Sequence, residues 1–172
     1  MDSKNRASSA AKNQSALKIV WFALLLAMFA YTAVVFVFNS PEAPDVGENV
    51  RVAFLLGGAG LGMISFFIYR FTLSEKSLRR KFLAEEKKGA EKSLEEFSNR
   101  LLLPHVVPWG INETIVLLGF VLAFMSKDPG DSIPFSVTGI ILHIYMYPRV
   151  EQLIERTIGS FWARRLFKER KL

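Results

Sequence analysis

Cysteine is absent from all 172 residues. That absence excludes disulfides, thiolate metal sites and a cysteine nucleophile together, while leaving the redox compartment open. Histidine is almost as scarce, with only His105 and His143. Neither an HExxH nor a GxSxG motif occurs, so the zinc and serine hydrolase chemistries those motifs carry have no residues here. The most telling shortage is of charge. No Asp, Glu, Lys or Arg occurs in residues 19–41, 52–69 or 132–148, runs of 23, 18 and 17 residues. Residues 101–126 are broken only by Glu113 and His105. A bilayer core takes about 20 apolar residues of helix. With 51% of the chain hydrophobic and a mean hydropathy of +0.24, clustering of this kind excludes a conventional soluble core. The chain reads as all-α, an integral membrane four-helix bundle, with no enzyme activity, metal or cofactor expected.

The charge that is present is sorted. Residues 1–18, 70–100 and 149–172 carry four, nine and seven Lys or Arg, whereas 42–51 and 127–131 carry one each. Lys and Arg are retained on the cytoplasmic side, so both termini are expected there. The net charge of +6 is then topogenic and lipid-facing, suited to anionic headgroups. Nucleic acid is not expected as a partner, because no aromatic-basic module accompanies the charge.

Five segments follow. Residues 1–16, rich in Ser, Ala, Asn and Lys, are expected to be a disordered cytoplasmic tail. Residues 17–73 form a first transmembrane hairpin, with helices over 17–38 and 50–71. Its first helix is an uncleaved signal anchor, since the apolar run outlasts a signal peptide. Residues 74–100 form a charged, amphipathic cytoplasmic helical segment, either a solvated face or a docking surface, with Ser74 as a possible cap. Residues 101–148 form a second hairpin, starting near Pro104 or Pro108, turning at 127–131 and returning over 133–147. Residues 149–172 form a basic amphipathic helix. It lies in the inner headgroup layer through Arg156, Arg164, Arg165 and Lys168, or packs on the cytoplasmic helices. Trp21, Trp109, Tyr145 and Tyr147 fall at the expected inner interface, as an aromatic belt does.

Glu113 is the most informative residue, with twelve residues of its run before it and thirteen after. An acid in mid-membrane faces a partner, a cavity or an ion path. Positions of the second hairpin whose numbers add to about 256 share a depth, which pairs Glu113 with His143. At about 1.5 Å per residue both lie some 20 Å below the outer ends. An ionic or hydrogen-bonded Glu113–His143 pair is therefore expected, as a proton relay or as interhelical glue. Asn112 and His105 are neighbours able to extend it, although His105 near the inner surface is expected to be hydrated. Small residues four apart allow close helix packing in lipid, and Gly58 with Gly62, Gly119 with Ala123 and Ala23 with Ala27 have that spacing.

The stretch from Glu113 through Gly119, Val121, Ala123 and Phe124 resembles the carboxylate helix of rotary ATPase proteolipid (c) subunits. There a mid-membrane acid is followed by glycine and a small apolar run. The glycine-rich helix over 50–71 is similar to the partner helix of that family's hairpin. The resemblance implies Glu113 as proton or sodium carrier and Gly57, Gly58, Gly60 and Gly62 as a ring-packing face. The 29 residues between Arg70 and Arg100 replace that family's short polar loop, and two more membrane helices flank the hairpin. Two functions are thus expected from different classes. One is a non-enzymatic subunit or scaffold of a membrane complex, with a protein partner or further copies of itself. The other is a proton- or ion-handling protein built on Glu113 and His143. Size and topology suit a bacterial inner membrane.

Overall fold

The computed structural model describes residues 3–38, 46–74, 76–78, 80, 101–149, 152 and 153. Most of the expected segment 74–100 and of the tail 149–172, including Arg156, Arg164, Arg165 and Lys168, lies outside them. The described residues are helical and contain no strand. Four α-helices follow in order: α1 (Ser3–Phe38), α2 (Glu48–Thr72), α3 (Leu102–Ser126) and α4 (Ile133–Tyr145). A single 3₁₀ turn, Pro129–Ser132, separates α3 from α4. Three helices are long and apolar enough to cross a membrane, over Ser15–Val37, Glu48–Thr72 and Leu102–Ser126.

Two helix starts differ from expectation. α1 begins at Ser3, not near Leu17. Nucleation is the unfavourable step of helix formation, and the apolar span supplies a nucleus that later residues merely extend. The preceding residues include Ala7, Ala10, Ala11 and Ala16, without Gly or Pro, so their propensity favours that extension. α3 begins at Leu102, which leaves Pro108 inside the helix and buried. An internal proline removes the N–H owed to the carbonyl four residues back. The Pro108 carbonyl lies 3.1 Å from the Ser65 hydroxyl, whose single proton it shares with Asn112 Oδ1 at 2.7 Å, a contact between α2 and α3 at this weak point.

α3 is the central element. It touches α1, α2 and α4, and 44% of its apolar window is buried against 11% for α1 and 17% for α2. One core gathers at the end where α3 starts. Leu17, Leu78, Leu101, Trp109 and Met146 are buried there, with Tyr69, Leu73 and Leu153 packed against them. Leu78 follows a short turn that Ser74 caps, its hydroxyl oxygen accepting from the Ser77 N–H at 3.4 Å. The second core, Ile115, Leu122 and Phe135, lies nearer the turn.

The turn end has its own local logic. Lys127 closes α3 in the left-handed region, φ 52°. Asp128 is extended, as a residue before proline prefers, and its Oδ1 accepts from the Gly130 N–H at 2.8 Å. Arg51 Nε of α2 lies 3.2 Å from Asp131 Oδ2, without the alignment of a hydrogen bond. The contact brings residues 46–51 and 127–131 to one end of the molecule. An ion pair with Arg51 38% exposed contributes less than about 1 kcal/mol. Lys127→Gly is expected to stabilise the fold by about 0.5–1 kcal/mol, relief of left-handed strain exceeding glycine's greater freedom in the unfolded chain. The check is a higher thermal midpoint in mild detergent; an unchanged one would mean that the Lys127 side chain offsets its strain.

Candidate functional site

The polar side chains inside the helices are shared between helices, and their partners differ from the expected ones. Glu113 and His143 do not meet. Tyr31 of α1 donates its hydroxyl to Glu113 Oε1 at 3.3 Å. The Nε2–H of His143 instead donates to the Trp21 carbonyl at 2.9 Å, since a carbonyl can only accept. Depth is nonetheless matched approximately. Contacts of α3 with α4 and with the residue that ends it join numbers adding to 251–258: Gly139 meets Asn112 and Val116, Phe135 meets Gly119, Trp109 meets His143 and Met146, and Asn112 meets Met146. The error is in azimuth. The face of α3 toward α4 runs through Trp109, Asn112, Val116 and Gly119, and Glu113 lies about 80° around from the middle of that face.

Trp21 and His143 form a reciprocal clasp. The Trp21 indole N–H donates to the His143 carbonyl at 2.9 Å while the imidazole donates back to the Trp21 carbonyl. Their rings stack at 5.4 Å and 17°, and Tyr147 stands edge-on to Trp21. The His143 ring also meets Trp109 at 5.9 Å. Trp109 is fully buried, donates to the Met146 carbonyl at 3.0 Å and contacts the His105 ring at 5.8 Å. Trp109 is therefore interior and no member of an interfacial belt. His105 is likewise fully buried rather than hydrated, its Nδ1–H satisfied by the carbonyl of Leu101, the residue just before α3, at 2.7 Å. In the neutral rings the lone pairs sit on His105 Nε2 and His143 Nδ1, and neither has a hydrogen-bond partner among the described residues.

Asn112 faces away from Glu113 into a separate junction. Its Oδ1 lies 2.7 Å from the Ser65 hydroxyl, and its Nδ2 donates to Met146 Sδ at 3.4 Å. Ser65 of α2, Asn112 of α3 and Met146 at the end of α4 thereby share one polar contact. A third link joins α1 to α4, Thr32 to Ser136 at 2.9 Å. Among the described residues, no group of three or more His, Cys, Asp or Glu could hold a metal ion.

The small residues divide sharply. A Cβ on Gly58 would stand 2.8 Å from the Phe135 ring, and one on Gly119 would stand 2.5 Å from Phe135 Cβ. Phe135 thus inserts between α2 and α3. Gly62 leaves ordinary van der Waals space beside Leu142, Ile115 and Thr138, while Gly57 and Gly60 face open space. Ala123 is fully buried. Gly139, which no small-residue spacing singled out, is among the tightest of all, a Cβ there meeting Val116 Cγ2 at 2.5 Å and the Asn112 carbonyl oxygen at 2.8 Å. An apolar groove of about 180 Å³ between α2 and α4, lined by Leu55, Gly58, Ala59, Ile115, Pro134, Phe135 and Thr138, contains no titratable group. Compared with family models, curated proteins and solved structures, the chain matches none.

Proposed function

We propose that the chain is a non-enzymatic membrane protein, a small subunit or scaffold of a membrane complex. In this reading all four helices are embedded and both termini are cytoplasmic, in a bacterial inner membrane. The basic terminal segments, with Arg156, Arg164, Arg165 and Lys168, rest on anionic headgroups. The lopsided basic charge supports the orientation.

The observation that carries the functional reading is the use made of the interior polar groups. Trp21 with His143, Ser65 with Asn112, Thr32 with Ser136 and Trp109 with Met146 all join one helix to another. Such bonds hold helices together in lipid, where unsatisfied polar groups are costly. α1 and α2 meanwhile present large apolar side chains outward, including Ile19, Phe22, Leu56 and Phe71, a surface for acyl chains and for neighbouring helices.

The test is the native mass of the protein extracted gently with its surrounding lipid, with co-purifying chains identified by mass spectrometry. A stoichiometric assembly with a second protein is the expected result. A monomer overturns the reading, and a closed ring of this chain alone would replace it with the ion-carrier alternative.

A further inference from the structure

We infer that Glu113 is the docking point for a partner transmembrane helix that carries a lysine or arginine at mid-depth, seated against the furrow between α1 and α3. The inference rests on the subunit reading and names the partner's chemistry. Glu113 is half-buried, and its one hydrogen bond among the described residues is the 3.3 Å contact from Tyr31. A carboxylate offers about four acceptor positions, so most of its capacity is unused. No described basic side chain forms an ion pair with it, and His143, at the same depth, is committed to the Trp21 backbone. An ionisable group in acyl chains pairs with an opposite charge or faces water, and here the complementary charge is missing from the chain's own described helices.

The surroundings suit a helix rather than a small ion. Almost one turn before Glu113, Gly110 is exposed, with nothing within 4 Å of where its Cβ would stand. Across the furrow, Ala27 lies one turn before Tyr31 on α1 and is half-buried. Small residues at this level let a second backbone approach closely. Elsewhere on α3, Val106 and Phe124 are exposed apolar side chains that extend the apolar surface toward both ends. A lysine or arginine stem reaching over Gly110 would bring its cation to Glu113 while the flanks stay in apolar contact.

The probe is a polyleucine transmembrane peptide with one lysine at its midpoint, compared with the same peptide without lysine. Association with the full-length protein is read by energy transfer in lipid vesicles. The lysine peptide is expected to bind about tenfold more tightly, an advantage of the size interhelical polar contacts give in lipid. Glu113→Gln, which keeps shape, should erase that advantage, and Gly60→Ala, set in open space on α2, should retain it. Gly110→Leu should weaken both peptides by filling the furrow. Equal binding of the two peptides, or an advantage that survives Glu113→Gln, overturns the inference. Sodium ions that abolish the advantage by competition also overturn it, assigning Glu113 to a free cation. In the native assembly, loss of the second protein on Glu113→Gln agrees with the docking point. An assembly unchanged by Glu113→Gln sinks the docking point and leaves the subunit reading standing, whereas the lack of any assembly removes both.

Discussion

Gly139→Ala is expected to destabilise the folded protein by about 3 kcal/mol, near the upper end for a single overpacking change. The new methyl group would stand 2.8 Å from the Asn112 carbonyl oxygen and 2.5 Å from Val116 Cγ2. A backbone oxygen cannot rotate away, so α4 must separate from α3. Gly119→Ala should match it, because it strikes Phe135 at Cβ, 2.5 Å away. Gly58→Ala should cost only about 1 kcal/mol, since it meets ring atoms able to swing aside. Gly57→Ala and Gly60→Ala should be close to neutral, with nothing within 4 Å of the added carbon. Unfolding midpoints of the five variants in one mild detergent give the ranking directly. A double-mutant cycle sharpens it. In a Phe135→Ala background the Gly58→Ala penalty should vanish, because the ring is gone. The Gly119→Ala penalty should largely remain, because Cβ stays. A flat ranking across the five glycines would mean that close packing does not set this fold.

Trp109→Ala should be as severe, with a loss of about 3–5 kcal/mol typical of deleting a buried Trp side chain. Trp109 is wholly shielded from solvent. It contacts both the His105 and His143 rings and closes the core with Leu17, Leu78 and Met146. Trp109→Phe keeps much of that volume but removes the donor to the Met146 carbonyl, so a smaller loss of about 1–2 kcal/mol is expected. The readout is the unfolding midpoint together with the emission of the remaining tryptophans. Trp21 sits in the adjoining clasp, and its spectrum should shift with Trp109→Ala more than with Trp109→Phe. Equal losses for both variants would show the hydrogen bond, and not the filled volume, to be the dominant contribution.

Hydropathy located the helices well and their rotation poorly, for one physical reason. The expected span 50–71 lies within Glu48–Thr72, and the expected end of the third helix at Ser126 coincides with the observed one. Charge-free length reports how deep a residue lies, and the hairpin register between α3 and α4 followed from it. Which way a residue faces is another matter. In a soluble helix the polar stripe marks the outside, but in lipid both the outer and inner faces are apolar. Charge-free length therefore sets Glu113 and His143 at one depth and carries no signal that each turns to α1 instead. Gly139 carries no such signal in the sequence for a related reason. It has no small neighbour four residues away, and its importance comes from the Asn112 carbonyl and the Val116 side chain opposite, which no pattern within α4 encodes. Trp109 resembled a belt residue because depth alone cannot separate an interface from an interior.

The shortness of α4 bears on the bilayer as much as on the protein. Thirteen residues rise about 20 Å, whereas the 23-residue apolar span of α1 rises about 35 Å. A hydrocarbon layer is about 30 Å thick, so with all four helices embedded, as proposed, neighbouring helices of one molecule ask for different thicknesses. Lipid beside α4 must thin or the molecule must tilt, each at a fraction of a kcal/mol per ångström of mismatch. On that proposal, a bundle with one short helix packed among long ones would gather short-chain lipids where α4 meets the bilayer.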